Sequence, residues 1–264
     1  MLKLENITKI FNQDDKVNQK IALNNVSFSM EEGEFVTVIG GNGSGKSTLM
    51  NIISGLYTPE EGKIFIDNID VTKMKEHQRA KFLGRVFQDP LMGTAFDMSI
   101  EENMSLALRR GKTPTLKWGF NEQNRQLFIN KLEDLNLGLE KRLTHKVGLL
   151  SGGQRQALTL IMATIKKPKL LLLDEHTAAL DPKTAKIVLD LTLSLVKEFN
   201  ITTLMITHNL RDAIKYGDRL IMLNEGRIIL DIKGEEKKNL TITDLLKRFD
   251  ESSLTNLDDR LLLS

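Results

Sequence analysis

The octapeptide Gly40-Gly41-Asn42-Gly43-Ser44-Gly45-Lys46-Ser47 constrains this chain more than any other stretch. It follows the apolar run Phe35, Val36, Val38 and Ile39 and precedes Leu49, Ile52, Ile53 and Leu56 at helical spacing, so it reads as the turn between a buried strand and a helix. Glycines let backbone N–H groups turn inward around phosphate oxygens, and the helix that follows points its positive end at them. One glycine, four residues, then Gly-Lys-Ser is the spacing of a phosphate-binding loop. The Lys46 ammonium is expected to reach the terminal phosphates and the Ser47 hydroxyl to hold magnesium. Gly40, Asn42, Gly43, Ser44, Gly45 and Thr48 complete the expected nucleotide contacts. A glycine-rich turn that matches by chance is the bland alternative; the strand before it and the helix after it argue against that.

The rest of the chain supports an α/β fold. Short strand-like segments in residues 1–30 are broken by the polar stretch Asn12 to Lys20, which reads as a hairpin loop. Apolar strands are expected at Leu170 to Leu173 and Thr203 to Ile206, separated by a helical pattern from about Lys183 to Phe199 that suits a parallel crossover. Residues 97–165 read mainly as helix, an inserted lobe. The segments Leu220 to Leu223 and Ile228 to Leu230 flank the turn Asn224-Glu225-Gly226-Arg227 and look like a hairpin. The 37 basic and 35 acidic residues are scattered along the sequence rather than gathered in a stripe, so nucleic acid is not the expected partner. There is no cysteine, which excludes a disulfide framework and a thiolate metal site. The N-terminus carries Lys3 and Glu5 before any apolar run, so no secretion signal is expected, and no apolar run approaches the roughly 20 residues of a membrane-crossing helix.

A second motif, Leu150-Ser151-Gly152-Gly153-Gln154, precedes a helical segment with Leu158, Ile161, Ala163 and Ile165. Ser151 with Gln154 three residues on is also a plain capping box. Two glycines in a first turn, however, each cost about 1 kcal/mol relative to alanine. An anion approaching bare backbone at that helix end is the physical candidate, with Ser151 adding a hydroxyl donor. With these two motifs the chain resembles the ATP-binding cassette (ABC) ATPases, whose signature is Leu-Ser-Gly-Gly-Gln. The resemblance implies a P-loop NTPase core (about 1–88 and 166–232) with an N-terminal antiparallel β subdomain, an inserted α-helical subdomain (about 89–165) and a tail (about 233–264). It also implies that the signature contacts the γ-phosphate held by a second subunit, so that two ATP lie at a face-to-face dimer interface.

Further residues take expected roles from the same resemblance. Asp174-Glu175 end the apolar strand Leu170 to Leu173, at the edge where α/β ligands bind. There Asp174 would support magnesium and Glu175 would act as general base. Gln88 matches the glutamine that touches magnesium and the attacking water, His208 the switch histidine that contacts the γ-phosphate, and Asp181 the D-loop that crosses the interface. Phe11 takes the approximate place of the aromatic, usually tyrosine, that stacks on adenine; its alternative is an ordinary core residue. His77 and His145 match nothing; Trp118 reads as packing, with a face toward a membrane partner as its alternative, and Met92, Met98 and Met104 read as core or interface filler. After Glu175 the family usually has proline, but His176 follows here, an extra titratable imidazole beside the base. The wording Asp-Glu-His-Thr-Ala-Ala-Leu-Asp-Pro resembles importer ATPases paired with permeases for branched-chain or aromatic amino acids. The implied function is the ATP-hydrolysing subunit of an ABC importer of a small solute such as an amino acid. Its implied partners are a second cassette, integral membrane permease subunits and an extracytoplasmic substrate-binding protein, at the cytoplasmic face of the membrane. An exporter or lipid-extraction ATPase, a soluble ABC ATPase, and a nucleotide-binding module without turnover are the competing readings.

Overall fold

The structure is a computed structural model that describes residues 1–15, 17–112 and 121–252. The expectation for Trp118 lies outside these residues. Strands are β1 (Leu2–Phe11), β2 (Lys20–Met30), β3 (Phe35–Ile39), β4 (Glu61–Ile66), β5 (Ile69–Asp70), β6 (Leu83–Val86), β7 (Leu170–Asp174), β8 (Thr202–Ile206), β9 (Arg219–Asn224) and β10 (Arg227–Lys233). Helices are α1 (Lys46–Ser54), α2 (Glu76–Arg79), α3 (Ile100–Leu108), α4 (Glu122–Glu133), α5 (Gly152–Thr164), α6 (Pro182–Phe199), α7 (Leu210–Lys215), α8 (Glu235–Lys238) and α9 (Ile242–Ser252). They form two compact units: Met1–Arg79 with Thr202–Ser264, and Ala80–Ile201.

In the first unit β2, β1, β4 and β5 make an antiparallel sheet. Leu2, Leu4 and Ile7 of β1 are buried with Ala22, Leu23, Val26, Phe28 and Met30 of β2, and the polar stretch between the two strands is the expected loop. A second array runs β10, β9, β3, β8. Every residue of β3 and β8 is buried, as for parallel strands covered on both faces. The β9–β10 hairpin turns on Glu225 and Gly226, both at positive φ (48° and 74°), the backbone of a two-residue hairpin turn. The segment after Lys233 is part of this core: Leu240, Leu245 and Phe249 pack with Ile39, Leu210, Leu220, Met222 and Ile232.

Arg79 closes the far end of α1 from inside the unit. It is fully buried, and its guanidinium donates to Ile52 O (2.7 Å), Ile53 O (2.9 Å), Thr72 O (3.0 Å) and Met74 O (2.9 Å). The first two acceptors are among the last carbonyls of α1, where the helix offers few amides of its own: Ile52 O also takes the amide of the cap residue Gly55, at 3.3 Å. Burial pushes the guanidinium down to about 10, still a cation at neutral pH, and its charge opposes the negative end of the helix dipole.

In the second unit β6 and β7 pair in parallel, with Val86 opposite Leu173, and α5 packs on both β6 and α6. That packing groups β6, β7 and α6 with the helical segment, where the sequence suggested a division nearer residues 88 and 166. α3 and α5 each start with a full capping box, Ser99 with Glu102 and Ser151 with Gln154.

The expectation for His176 is corrected. Its ring is 2% exposed, and Nε2 lies 3.0 Å from Thr192 Oγ1. Thr192 donates its own hydroxyl proton to Val188 O (2.8 Å), so it accepts from Nε2–H of a neutral imidazole. Burial pushes the ring from 6.5 down to about 4. The side chain is therefore a packing group that ties the strand-end loop to α6, and it carries no charge near neutrality.

Replacing Arg79 with methionine leaves several buried carbonyls without donors and should lower unfolding free energy by roughly 2–4 kcal/mol in urea titration; a loss below about 1 kcal/mol would contradict the clamp. For His176, the unfolded chain takes up its proton below about 6.5 and the folded chain only near 4. Its contribution to stability is thus complete above the first value and lost as pH falls toward the second, at up to about 1.4 kcal/mol per pH unit. His176→Asn should flatten the dependence of the urea midpoint on pH over that window, and identical slopes in the two proteins would rule the assignment out.

Candidate functional site

The phosphate loop leaves the buried end of β3 and bends at glycines with little room to spare. Gly40 (φ 152°), Gly43 (φ 77°) and Gly45 (φ 106°) sit where side chains are rarely tolerated. A Cβ on Gly40 would lie 2.2 Å from Leu223 O, and one on Gly45 2.5 Å from Ala22 O. Gly41, by contrast, faces nothing within 4 Å, so the loop is gripped at its ends and open between them. α1 starts at Gly45 with no side-chain cap and no acidic residue in its first turn. Lys46 is 5% exposed and donates to Gly40 O (2.8 Å) and Gly41 O (3.0 Å), folded back along its own loop. Ser44 Oγ is buried without a hydrogen-bond partner. An uncapped helix end, an open cradle and an orphaned hydroxyl fit a phosphate chain. Asn42 and Ser47 are exposed and Thr48 is half-buried beside them.

Phe11 lies in the same unit, half-buried at the end of β1. It stands edge to face with Tyr57 (centroids 5.4 Å apart, 81°), and Lys9 Nζ lies 5.4 Å from its ring centroid. That exposure separates it from the core and leaves a ring available for stacking. β3 and β8 pair with Val38 opposite Ile206, and Thr207 N donates to Val38 O (3.2 Å). Gly40 and His208 therefore each lie two residues past a shared register pair, at the same edge of adjacent parallel strands.

The second unit holds the other set in the same manner. Gln88 and Glu175 each lie two residues beyond the Val86–Leu173 pair, again at the carboxyl edge of neighbouring parallel strands. Glu175 has φ 46°, a sparsely populated conformation for a non-glycine, and its carbonyl accepts from Ala178 N (2.9 Å). Asp174 pairs with Arg85 Nη2 at 3.2 Å. Gln156 of α5 donates to Phe87 O (3.1 Å), fixing the backbone next to Gln88.

The signature glycines prove to have different reasons. A Cβ on Gly153 would fall 2.0 Å from Thr184 Cγ2, so this glycine exists for the contact between α5 and α6. Gly152 has only Leu180 Cδ2, at 3.7 Å, and keeps its bare backbone toward the exterior together with exposed Ser151. Asp181 caps α6 by accepting from Thr184 N (3.1 Å), and hydrogen bonds from Thr184 hold its carboxyl below the usual range. Signature and D-loop thus meet at Thr184. Arg85 is the residue that sequence reasoning left without a role; its signal was a charge inside the short apolar strand Leu83-Gly84-Arg85-Val86. Among the described residues no three His, Asp or Glu side chains gather as a metal site.

Comparison with known proteins agrees with this geometry. The sequence pattern of the ABC transporter family matches residues 23–178. A tyrosine transport ATP-binding protein of Clostridioides difficile (strain R20291) is 50% identical over 250 residues, 95% of this chain and 99% of that protein. The energy-coupling factor transporter ATP-binding protein EcfA2 of Clostridium perfringens (strain 13 / Type A) is 35% identical over 235 residues, 88% of this chain and 79% of its own length. Among solved structures, the dimeric post-hydrolysis state of the ATP-binding cassette MJ0796 bound to ADP and Pi superposes with a TM-score of 0.74 at 33% identity, covering 88% of this chain and 98% of that one. The ADP conformation of the cassette MJ1267 gives 0.76 at 31% identity, covering 95% and 98%. With the family pattern running through more than half its length and a cassette architecture shared along nearly all of it, this chain belongs to the ABC transporter family and is one of its ATP-binding, ATP-hydrolysing subunits.

Proposed function

We propose that the chain powers an importer of an amino acid or a similar small solute, with two cassettes closing on ATP and driving membrane permease subunits. The observation that carries this reading is the 50% identity to a tyrosine transport ATP-binding protein over 95% of the chain. Relatives named for spermidine/putrescine import and methionine import support the direction of transport. No helix among the described residues is long and apolar enough to cross a membrane, so the reading places the span in separate permease subunits and this chain at the cytoplasmic face. An extracytoplasmic substrate-binding protein completes the proposed assembly. Within the chain, the reading divides a nucleotide-binding core from a helical lobe that carries the signature.

The proposed chemistry follows from the residues. The amides of the loop and of the first turn of α1, with Lys46, hold the phosphates, and Phe11 stacks on the base. The buried hydroxyl of Ser44 gains a phosphate oxygen as partner. Ser47, Asp174 and Gln88 would hold magnesium, which when bound neutralises phosphate charge. Glu175 accepts the proton of a water whose oxygen bonds to the γ-phosphorus as the bond to ADP breaks, and His208 donates a hydrogen bond to that phosphate. Ser151, the Gly152 backbone, Gly153 and Gln154 present the end of α5 to the γ-phosphate of the opposite subunit. Asp181 stands at the interface.

Transport is tested by reconstituting the chain with its cognate membrane proteins in vesicles and following labelled tyrosine. ATP-driven uptake is expected, and ATP-driven efflux or the absence of flux for any amino acid would overturn the reading. Glu175→Gln should cut turnover by at least about a hundredfold while preserving ATP binding. On a sizing column with light scattering it should shift from monomer to dimer with Mg-ATP, and turnover at the native rate would remove Glu175 from its role. Lys46→Ala should weaken ATP binding or turnover by at least about tenfold, checked by titration with a fluorescent ATP analogue; unchanged values would exclude the proposed phosphate contact.

A further inference from the structure

Arg85 is placed where charge matters. It sits on β6 opposite Leu172 of β7, two residues before Asp174, and its side chain is 12% exposed against 15% for Asp174. Its guanidinium carbon lies 4.5 Å from the Phe87 ring centroid, which holds the head group in place over an aromatic face. From there Nη2 reaches Asp174 Oδ2 at 3.2 Å. That is longer than the roughly 2.7–2.9 Å of a strong charge-assisted bond, so its directional grip on the carboxylate is modest. Its charge is not diminished by the extra distance to the same degree, because Coulomb attraction falls slowly with separation and water screens little at this exposure.

We propose that Arg85 is a positioning residue that acts through Asp174: it occupies the carboxylate as a built-in counter-ion and so sets how much divalent cation the nucleotide site requires. The inference rests on the reading of Asp174 as a magnesium-supporting residue. Two cations drawn to one carboxylate weaken each other, and Arg85 is covalently present at fixed concentration. The cation arriving with ATP must share or displace that partner. At low magnesium the carboxylate stays neutralised, and the strand end is spared an uncompensated charge.

The test titrates Mg2+ from EDTA against a fluorescent ATP analogue, with the full-length chain as wild type, Arg85→Met, Arg85→Lys and Asp174→Asn. The half-saturating Mg2+ concentration for nucleotide binding should fall about 3- to 10-fold in Arg85→Met, the scale of a largely buried ion pair. Arg85→Lys keeps the charge and should stay within about twofold of wild type. Asp174→Asn should raise the midpoint, and adding Arg85→Met to it should change nothing further, since the two act as one coupled pair. A purely structural arginine would lower stability without moving the midpoint. If Arg85→Met leaves the midpoint unchanged or raises it while Asp174→Asn still shifts it, the proposal is overturned and the reading of Asp174 stands. If Asp174→Asn also fails to shift it, the reading itself is wrong and the proposal falls with it.

Discussion

Helix α1 begins with amides that nothing in its own sequence caps, and much of the first unit is arranged around that. Its first turn starts at Gly45 without a side-chain partner, directly after a loop whose glycines press against Leu223 and Ala22. β3 must be buried on both faces to bring the loop to that position, and β8 and β9 flank it in parallel. At the other end of the same helix Arg79 supplies a cation and donors to the carbonyls of Ile52 and Ile53. The helix is therefore held electrostatically at its carboxyl end and left open at its amino end, a polarity that suits an anionic ligand.

The second unit uses strand register for a similar purpose. Parallel pairing of β6 and β7 puts Gln88 and Glu175 at one edge without any direct contact between their side chains being needed. The left-handed backbone at Glu175 is over-determined by its surroundings: the Ala178 amide holds its carbonyl, and the neighbouring His176 is sealed against Thr192. A neutral, buried imidazole suits such a position because it anchors the loop without adding a second proton-exchanging group beside the carboxylate.

The loop, the signature and the strand-end acids were legible in the sequence because each is a short pattern with an immediate flanking context. β3, β7 and β8 were legible as apolar runs, and α6 as a long periodic segment. What escaped reading depends on partners far along the chain. Arg79 looked like any charged residue before its carbonyl acceptors, some at residues 52 and 53, were seen. The neutrality of His176 follows from Thr192, sixteen residues away on α6. α9 contributes Leu245 and Phe249 to a core whose other members lie between Ile39 and Leu240. Gly153 was read through the ligand alone, whereas half the reason for a double glycine is the methyl of Thr184.

That methyl has a consequence for how relatives of this chain can vary. With 2.0 Å between the Thr184 methyl and a hypothetical Cβ at 153, the two positions share a fixed volume. Positions 153 and 184 are therefore expected to be coupled: any side chain at the first requires the Thr184 methyl to rotate away or a smaller residue in its place. Part of the demand for glycine at 153 would then come from the fit between two helices, independent of nucleotide.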